Sequence, residues 1–201
     1  MIWLVTVVVP FMLYLWKTGL HTTEVNIEED PKSLRGSVVI YYKHVVGSYF
    51  TAYQAIREAQ SFITGGVGIG ISICYDDPEE VPTHLLQSAV GLVVQRNGEK
   101  LVDSATVEML AFRGYKALSL PSIERAVVAT IPMSHLAACL PICNPFMRTY
   151  SAIKQFVQER GLCTQMSIEV YEGDNFTAHF PLVNMDAFIV PERMAAGQYT
   201  L

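Results

Sequence analysis

Basic residues are scarce in this chain: 14 Lys and Arg stand against 19 Asp and Glu in 201 residues, giving a net charge of −5 and a pI near 5.5. No Lys/Arg stripe gathers them, so the long-range field opposes a polyanion and nucleic acid is not expected as a partner. The four cysteines, Cys74, Cys139, Cys143 and Cys163, lack metal-site spacing. None of the five histidines joins them at a zinc-like interval, so neither a metal nor a cofactor is expected. Cys139 and Cys143 lie one helical turn apart, as suits a packed helix face, and the thiols are expected to be reduced and buried. No Ser-His-Asp or Cys-His grouping has supporting local sequence. The run Gly65-Gly66-Val67-Gly68-Ile69-Gly70 follows a helix and precedes a strand, the reverse of the dinucleotide-binding order, and reads as a connector.

Apolar residues, by contrast, are abundant. They form 51% of the chain, whose mean hydropathy is +0.28, enough for one substantial core and a membrane segment besides. Ile2 to Trp16 is broken only by Thr6 and Pro10 and carries no charge before Lys17. As a helix it spans about 24 Å, short of the roughly 30 Å hydrocarbon core unless Thr18 to Leu20 extend it or Lys17 snorkels. The start has no basic n-region and no small-x-small cleavage site follows, so residues 1–20 read as a membrane anchor rather than a signal peptide. Lys17, Lys32 and Arg35 lie on its C-terminal side, which places the domain in the cytosol. Asn175-Phe176-Thr177 is a glycosylation sequon and so a probe of that topology. Residues 21–35 are polar and acidic and read as an unfolded linker, and 193–201 as a tail.

Between them lies an internal echo. Ile71-Ser72-Ile73-Cys74-Tyr75-Asp76-Asp77 returns about a hundred residues later as Ser167-Ile168-Glu169-Val170-Tyr171-Glu172-Gly173. Each copy follows a helix-like stretch and leads to another apolar strand, so two β-α-β-β units are expected, at about 37–94 and 123–183. In the first, Ser37 to Tyr42 is a strand. Ser48 caps a helix with Tyr49, Tyr53, Ile56, Ala59 and Ile63 inward, and residues 69–75 and 87–94 are strands. Residues 95–121 form an insertion with a helix capped by Asp103 or Ser104 and a strand at Tyr115 to Leu120. In the second unit, Glu124 to Ile131 is a strand and a short helix covers His135 to Cys143. Asn144-Pro145 starts a longer helix with Met147, Tyr150, Ile153 and Val157 inward. Residues 166–172 and 176–183 make a hairpin about Gly173-Asp174-Asn175, and Phe188-Ile189-Val190 reads as an edge strand. The class is α+β: tandem β-α-β-β repeats in an antiparallel sheet with helices on one face, behind an N-terminal hydrophobic helix.

Alternation along a strand puts Ser167, Glu169 and Tyr171 on one side and Ile168 and Val170 on the other, the apolar side being expected against the helices. Aligned by the echo, Ile71, Ile73 and Tyr75 join Glu169, giving a greasy floor with one acid, which is pocket chemistry. The alternative is a Glu169 on a solvated strand face paired with a surface Lys. His44 and His179 are isolated, as proton carriers or as satisfied partners. Asp76-Asp77-Pro78 reads as a turn.

The set Tyr42-Lys43-His44-x-x-Gly47-x-Tyr49, Cys74-Tyr75-Asp76-Asp77-Pro78-x-x-Val81-Pro82, Ala89-Val90-Gly91, Leu162-Cys163, Ile168-Glu169-Val170-Tyr171 and Val190-Pro191-Glu192 resembles the testis-expressed membrane proteins with a gyrase-inhibitor-like (GyrI-like) domain. The resemblance runs from about residue 38 to 192, together with the hydrophobic start. It implies a tandem β-α-β-β domain over 36–192, of the SOUL/SHS2-type group, whose sheet binds small hydrophobic or cationic molecules. Glu169, Tyr171, Tyr75, Ile73, Ile71 and Tyr42 are then the expected ligand-binding residues. It also implies a single-pass endoplasmic reticulum anchor in the lipid bilayer through residues 1–20, a cytosolic domain, and autophagy or quality-control partners, since the vertebrate relative is a receptor for autophagy of that organelle. That relative carries an acidic tail with an aromatic-x-x-aliphatic motif. This chain ends at Leu201 without one, and its Tyr53-Gln54-Ala55-Ile56 sits in a helix, so modifier capture is not expected. Ile131-Pro132-Met133-Ser134-His135 lacks the His-x-x-Gly-x-Tyr pattern, so one rim of the groove differs. Some soluble relatives resemble hydrolases that open cyclopropane rings in genotoxic natural products, a chemistry in which Glu169 and Tyr171 would be the catalytic pair. An interaction module with a vestigial groove is the third expectation.

Overall fold

The computed structural model describes residues 6, 8–13, 24–64, 68–132 and 145–193. Of the expected anchor only residues 6 and 8–13 are among them, and these are helical; no helix of the described residues is long and apolar enough to cross a membrane. The expected helix at His135 to Cys143, the Gly65-Gly66 stop, Cys139, Cys143 and most of the tail lie outside the described residues.

The β-branched and aromatic runs form nine strands among the described residues, in one sheet: β1 Val25–Glu29, β2 Val38–Val46, β3 Gly70–Cys74, β4 Gln87–Arg96, β5 Glu99–Lys100, β6 Lys116–Leu120, β7 Arg125–Pro132, β8 Ser167–Glu172 and β9 Asn175–Pro181. The order is β1-β7-β9-β8-β3-β4-β2-β6, with β5 hairpinned onto β4, and every pairing is antiparallel. The two units therefore meet at β3 and β8 in the middle of the sheet. The linker expectation is corrected here. Residues 25–29 pair along the edge of β7, where Val25 and Ile27 pack against the cluster that holds Ile153 and Phe176, and a 3-10 turn at Lys32–Leu34 buries Leu34. Alternating Val25, Ile27 and acidic neighbours hid a half-buried edge strand inside an acidic composition.

Helix α1 spans Tyr49–Gln60, with Ser48 accepting from the Phe50 N–H. Helix α2 spans Ser104–Phe112, with Asp103 accepting from the Thr106 N–H at 2.7 Å. Helix α3 spans Pro145–Glu159 and gives way at Gly161, whose φ is +60°. All three lie on one face, where Ile56, Leu110 and Ile153 bury against Val90, Leu92 and Phe176. The other face is a separate apolar cluster containing Ile40, Tyr42, Ile71, Ile73, Ile168 and Val170, closed by Leu34, Phe188 and Val190. The expected edge strand at Phe188 is thus a correction: Met185–Phe188 is a 3-10 turn that drops its aromatic ring into this cluster. Gly91 is required where β4 passes β2, since a Cβ there would stand 1.8 Å from the Tyr41 carbonyl oxygen.

Candidate functional site

Register decides which side chains share the floor. Cross-strand pairs lie on the same face, and β3 pairs with β8 so that Gly70 meets Tyr171, Ser72 meets Glu169 and Cys74 meets Ser167. Glu169 and Tyr171 therefore lie with Ser72 and Cys74 on the helix face. Ile71 and Ile73 pair with Val170 and Ile168 on the other, where Tyr75 and Tyr42 also lie. The expected floor of Ile71, Ile73, Tyr75 and Tyr42 beside the acid is overturned, and so is the expectation that the helices cover the side away from Glu169. The echo aligned Ile73 with Glu169, one residue out of step. A single offset instead relates Tyr53 to Tyr150, Ile56 to Ile153 and Ser72 to Glu169, and a one-residue slip moves every side chain to the opposite face.

Tyr42 and Tyr75 have other work. The Tyr42 hydroxyl donates to Glu192 at 2.9 Å, and burial pushes its pKa up to about 12. Tyr75 donates to the Phe188 carbonyl at 3.1 Å and accepts from the Val190 N–H at 3.3 Å. Both phenols fasten the C-terminal segment over the apolar cluster.

On the helix face, α1 packs on β3 and β4 while α3 packs on β7 and β1, leaving β8 as the floor between them. Glu169 rises from that floor, half-buried. The Tyr150 hydroxyl of α3 donates to its Oε1 and the Tyr171 hydroxyl to its Oε2, the latter at 2.6 Å. Around this clasp the Tyr171 ring lies 5.5 Å from Tyr53 of α1 and 5.3 Å from Phe176, and Tyr150 meets Phe180 edge-on at 5.8 Å. Below, Ser72 Oγ and Cys74 Sγ are 3.4 Å apart. Loss of water raises the Glu169 pKa, and the hydrogen bonds from Tyr150, Tyr171 and Cys74 work against that rise. Burial and the adjacent carboxylate in turn hold both phenols and the Cys74 thiol firmly protonated. The arrangement is a desolvated carboxylate ringed by phenols. None of the ion pairs among the described residues reaches it, so the surface-lysine alternative does not hold.

Tyr150 is the site residue that sequence reasoning placed only as packing. Its signal was a hydroxyl-bearing ring in an otherwise aliphatic inward stripe, matched by Tyr53 in the first unit. At one end of the floor, Lys154 pairs with Glu79 and stands 3.9 Å from Asp77, in the turn where Asp76-Asp77-Pro78 was expected. Asp76 accepts from Arg193 at 2.9 Å and from the Gln87 N–H at 2.6 Å. His44 contacts Gln87 at 3.1 Å, and His179 is fully buried on the far face. Cys74 is buried as expected, whereas Cys163 is exposed. No group of three or more potential metal ligands occurs among the described residues.

No family model matches the chain. It is distantly homologous to testis-expressed protein 264 of Homo sapiens and to its Mus musculus homolog, each 28% identical over 156 residues, or 78% of this chain. That match spans only 48% of the relatives' own length. Among solved structures, the EcmrR C-terminal domain is similar over 80% of this chain and 98% of that one, with 15% identity and a TM-score of 0.46. EcmrR in a DNA complex is similar over 87% of this chain and 62% of that one, with 14% identity and a TM-score of 0.47.

Proposed function

We propose that this protein is a small-molecule-binding domain whose ligand lies on β8 between α1 and α3, with Glu169 as its counter-charge. The observation that carries this is the Glu169 carboxylate, drawn out of water, held by Tyr150 and Tyr171 and walled by aromatic rings. Two phenol donors leave lone pairs on each oxygen, and ring faces favour a cation, so a flat hydrophobic cation or a ligand with an N–H donor complements the site. Fluorescence titration with a hydrophobic cationic dye is expected to give an affinity that falls about tenfold or more in Glu169→Gln, as for loss of a desolvated charge pair. Equal affinity for the two proteins would remove Glu169 from the function.

The ring-opening hydrolase is the weaker reading. Among the described residues the hydrogen-bond partners of Glu169 are two phenols and a thiol, and no second carboxylate is placed to direct water.

The cellular setting we propose rests on the apolar run of residues 1–20, the basic residues after it and the 28% relationship. It is a single-pass endoplasmic reticulum membrane anchor with the domain in the cytosol, where the same relationship supports an adaptor role toward autophagy or quality-control proteins. Expressed with microsomes, the chain is expected to stay in the membrane pellet after alkaline extraction with Asn175 unglycosylated. A glycosidase-sensitive mass at Asn175 would reverse the orientation.

A further inference from the structure

Folding joins Ser33, in the 3-10 turn before β2, to His179 of β9, on the face of the sheet away from Glu169. Ser33 Oγ lies 2.6 Å from His179 Nε2, and Nδ1 of the same ring lies 3.1 Å from the Ile168 carbonyl oxygen. A carbonyl only accepts, so Nδ1 carries the ring proton and donates it. Nε2 is then the lone-pair nitrogen, and the Ser33 hydroxyl donates to it. Loss of water agrees with that assignment: the ring is 0% exposed and its pKa is drawn down to about 4, so it is neutral at pH 7.

This is the hydrogen-bond order of an activated serine: hydroxyl to imidazole, imidazole to an orienting acceptor, here a backbone carbonyl in place of a carboxylate. Ser33 is also reachable. It is half-buried and lines an open cleft of about 470 Å³ with Lys32, Arg96, Glu172, Thr130 and Thr177. Arg96 holds Glu172 with both terminal nitrogens at 3.3 Å, while its Nε is buried without a partner. Lys32 and Arg96 thus share the cleft with the hydroxyl, together with the carboxylates of Glu28 and Glu172, so its charge is balanced.

We propose that Ser33 is a nucleophile with His179 as its general base, acting on small carboxylic esters whose polar, uncharged end suits a cleft of paired Lys, Arg and Glu side chains. Ser33 Oγ forms a bond to the ester carbonyl carbon as its proton passes to His179 Nε2, and the donors of the cleft, Lys32 and the Arg96 guanidinium, are the groups available to the negative charge on the carbonyl oxygen. The bond to the alcohol oxygen then breaks, that oxygen taking the proton from Nε2, and the acyl group stays on Ser33. Water repeats the sequence: it gives a proton to Nε2, bonds to the acyl carbon and releases acid, and Ser33 recovers its proton. The imidazolium is steadied only by the Ile168 carbonyl dipole, so turnover is slow and activated esters react first.

A tether for the turn would use the same hydrogen bond, and reactivity separates the two roles. A fluorophosphonate probe forms an Oγ–P bond and expels fluoride. The native full chain is expected to gain one adduct, mapped to Ser33 by peptide mass spectrometry, about tenfold faster than the same serine in urea, less than the gain from a base poised near neutral pH because His179 is weakly basic. Ser33→Ala, which leaves the buried His179 in place, loses the adduct and the slow hydrolysis of p-nitrophenyl acetate. Native protein whose Ser33 stays unmodified, or is modified no faster than in urea, would overturn the proposal. Because this readout requires only wild-type protein and the Ser33→Ala variant, it stands even if His179 substitutions fail to fold.

Discussion

The face of the sheet beneath α1 and α3 keeps a carboxylate and its phenols half-buried, whereas the opposite face buries aliphatic side chains almost completely under two short 3-10 segments. Both faces are built on the same strands, β3 and β8, whose alternate residues point to opposite sides. On the helix side, small residues of β3 stand opposite large ones of β8: Gly70 against Tyr171 and Ser72 against Glu169. A Cβ added at Gly70 would stand 2.6 Å from Ile56 Cγ2 and 3.3 Å from Tyr171 Cβ, so the first unit supplies room and the second supplies chemistry. On the far side no such division exists. Ile71, Ile73, Ile168 and Val170 match in size, and Phe188 closes over them. One face holds a polar clasp between its helices, and the other is mostly a closed apolar core with the Ser33–His179 pair at its margin.

That division can be broken most sharply at Phe188, which is 1% exposed in the far-face cluster. Phe188→Ala is expected to lose about 3–5 kcal/mol in urea unfolding, the range for emptying a buried aromatic site. Phe50→Ala, at a residue 73% exposed, should stay within about 0.5 kcal/mol. Equal effects would mean that the C-terminal segment does not close the far face.

The next effect is acid lability on the same face. His179 has a folded pKa of about 4 against an ordinary 6.5, so the unfolded chain binds the extra proton between those values. Its contribution is fully present above pH 6.5 and is lost as the pH falls through about 4, amounting to about 3 kcal/mol. Unfolding free energies measured from pH 7 to 4 should fall accordingly, and the part of that fall due to His179 should vanish in a folded His179→Gln variant. An unchanged slope would place the proton elsewhere.

The smallest effect sharpens the helix face. Loss of water raises the Glu169 pKa, so the fold favours its protonated form, and stability is lost as the pH rises through the folded value. Glu169→Gln removes that titration. Its melting temperature should exceed the wild type at neutral pH, and the difference should close as the pH falls below the ordinary carboxylate range. A variant less stable at neutral pH would show that the phenol hydrogen bonds outweigh the loss of water.

Much of this was legible in the chain. Ser48, Asp103 and Gly161 marked helix ends at the places where caps and a stop are found, because those signals act within a few residues. The β-branched runs marked β2, β3, β4, β7, β8 and β9, and the singular Glu169 among apolar neighbours pointed to the candidate site. Tyr171, expected on the same side of that strand, donates to Glu169 at 2.6 Å. Tyr75, Ile71 and Ile73 were assigned to the wrong face because a repeat aligned by residue likeness carries no information on pairing register, and Tyr42, expected there through the resemblance, lies with them on the far face. Ser33 and His179 are separated by 146 positions, and no local pattern links a turn before β2 to the middle of β9.

The amino-acid sequence by itself determined the elements, their doubling and the presence of an acid that has to be accounted for, since capping, alternation and helical spacing are short-range properties of the chain. Only the tertiary structure decided what meets that acid. The side a residue faces depends on hydrogen-bond register between strands far apart in sequence, and there a shift of one position exchanges floor for core.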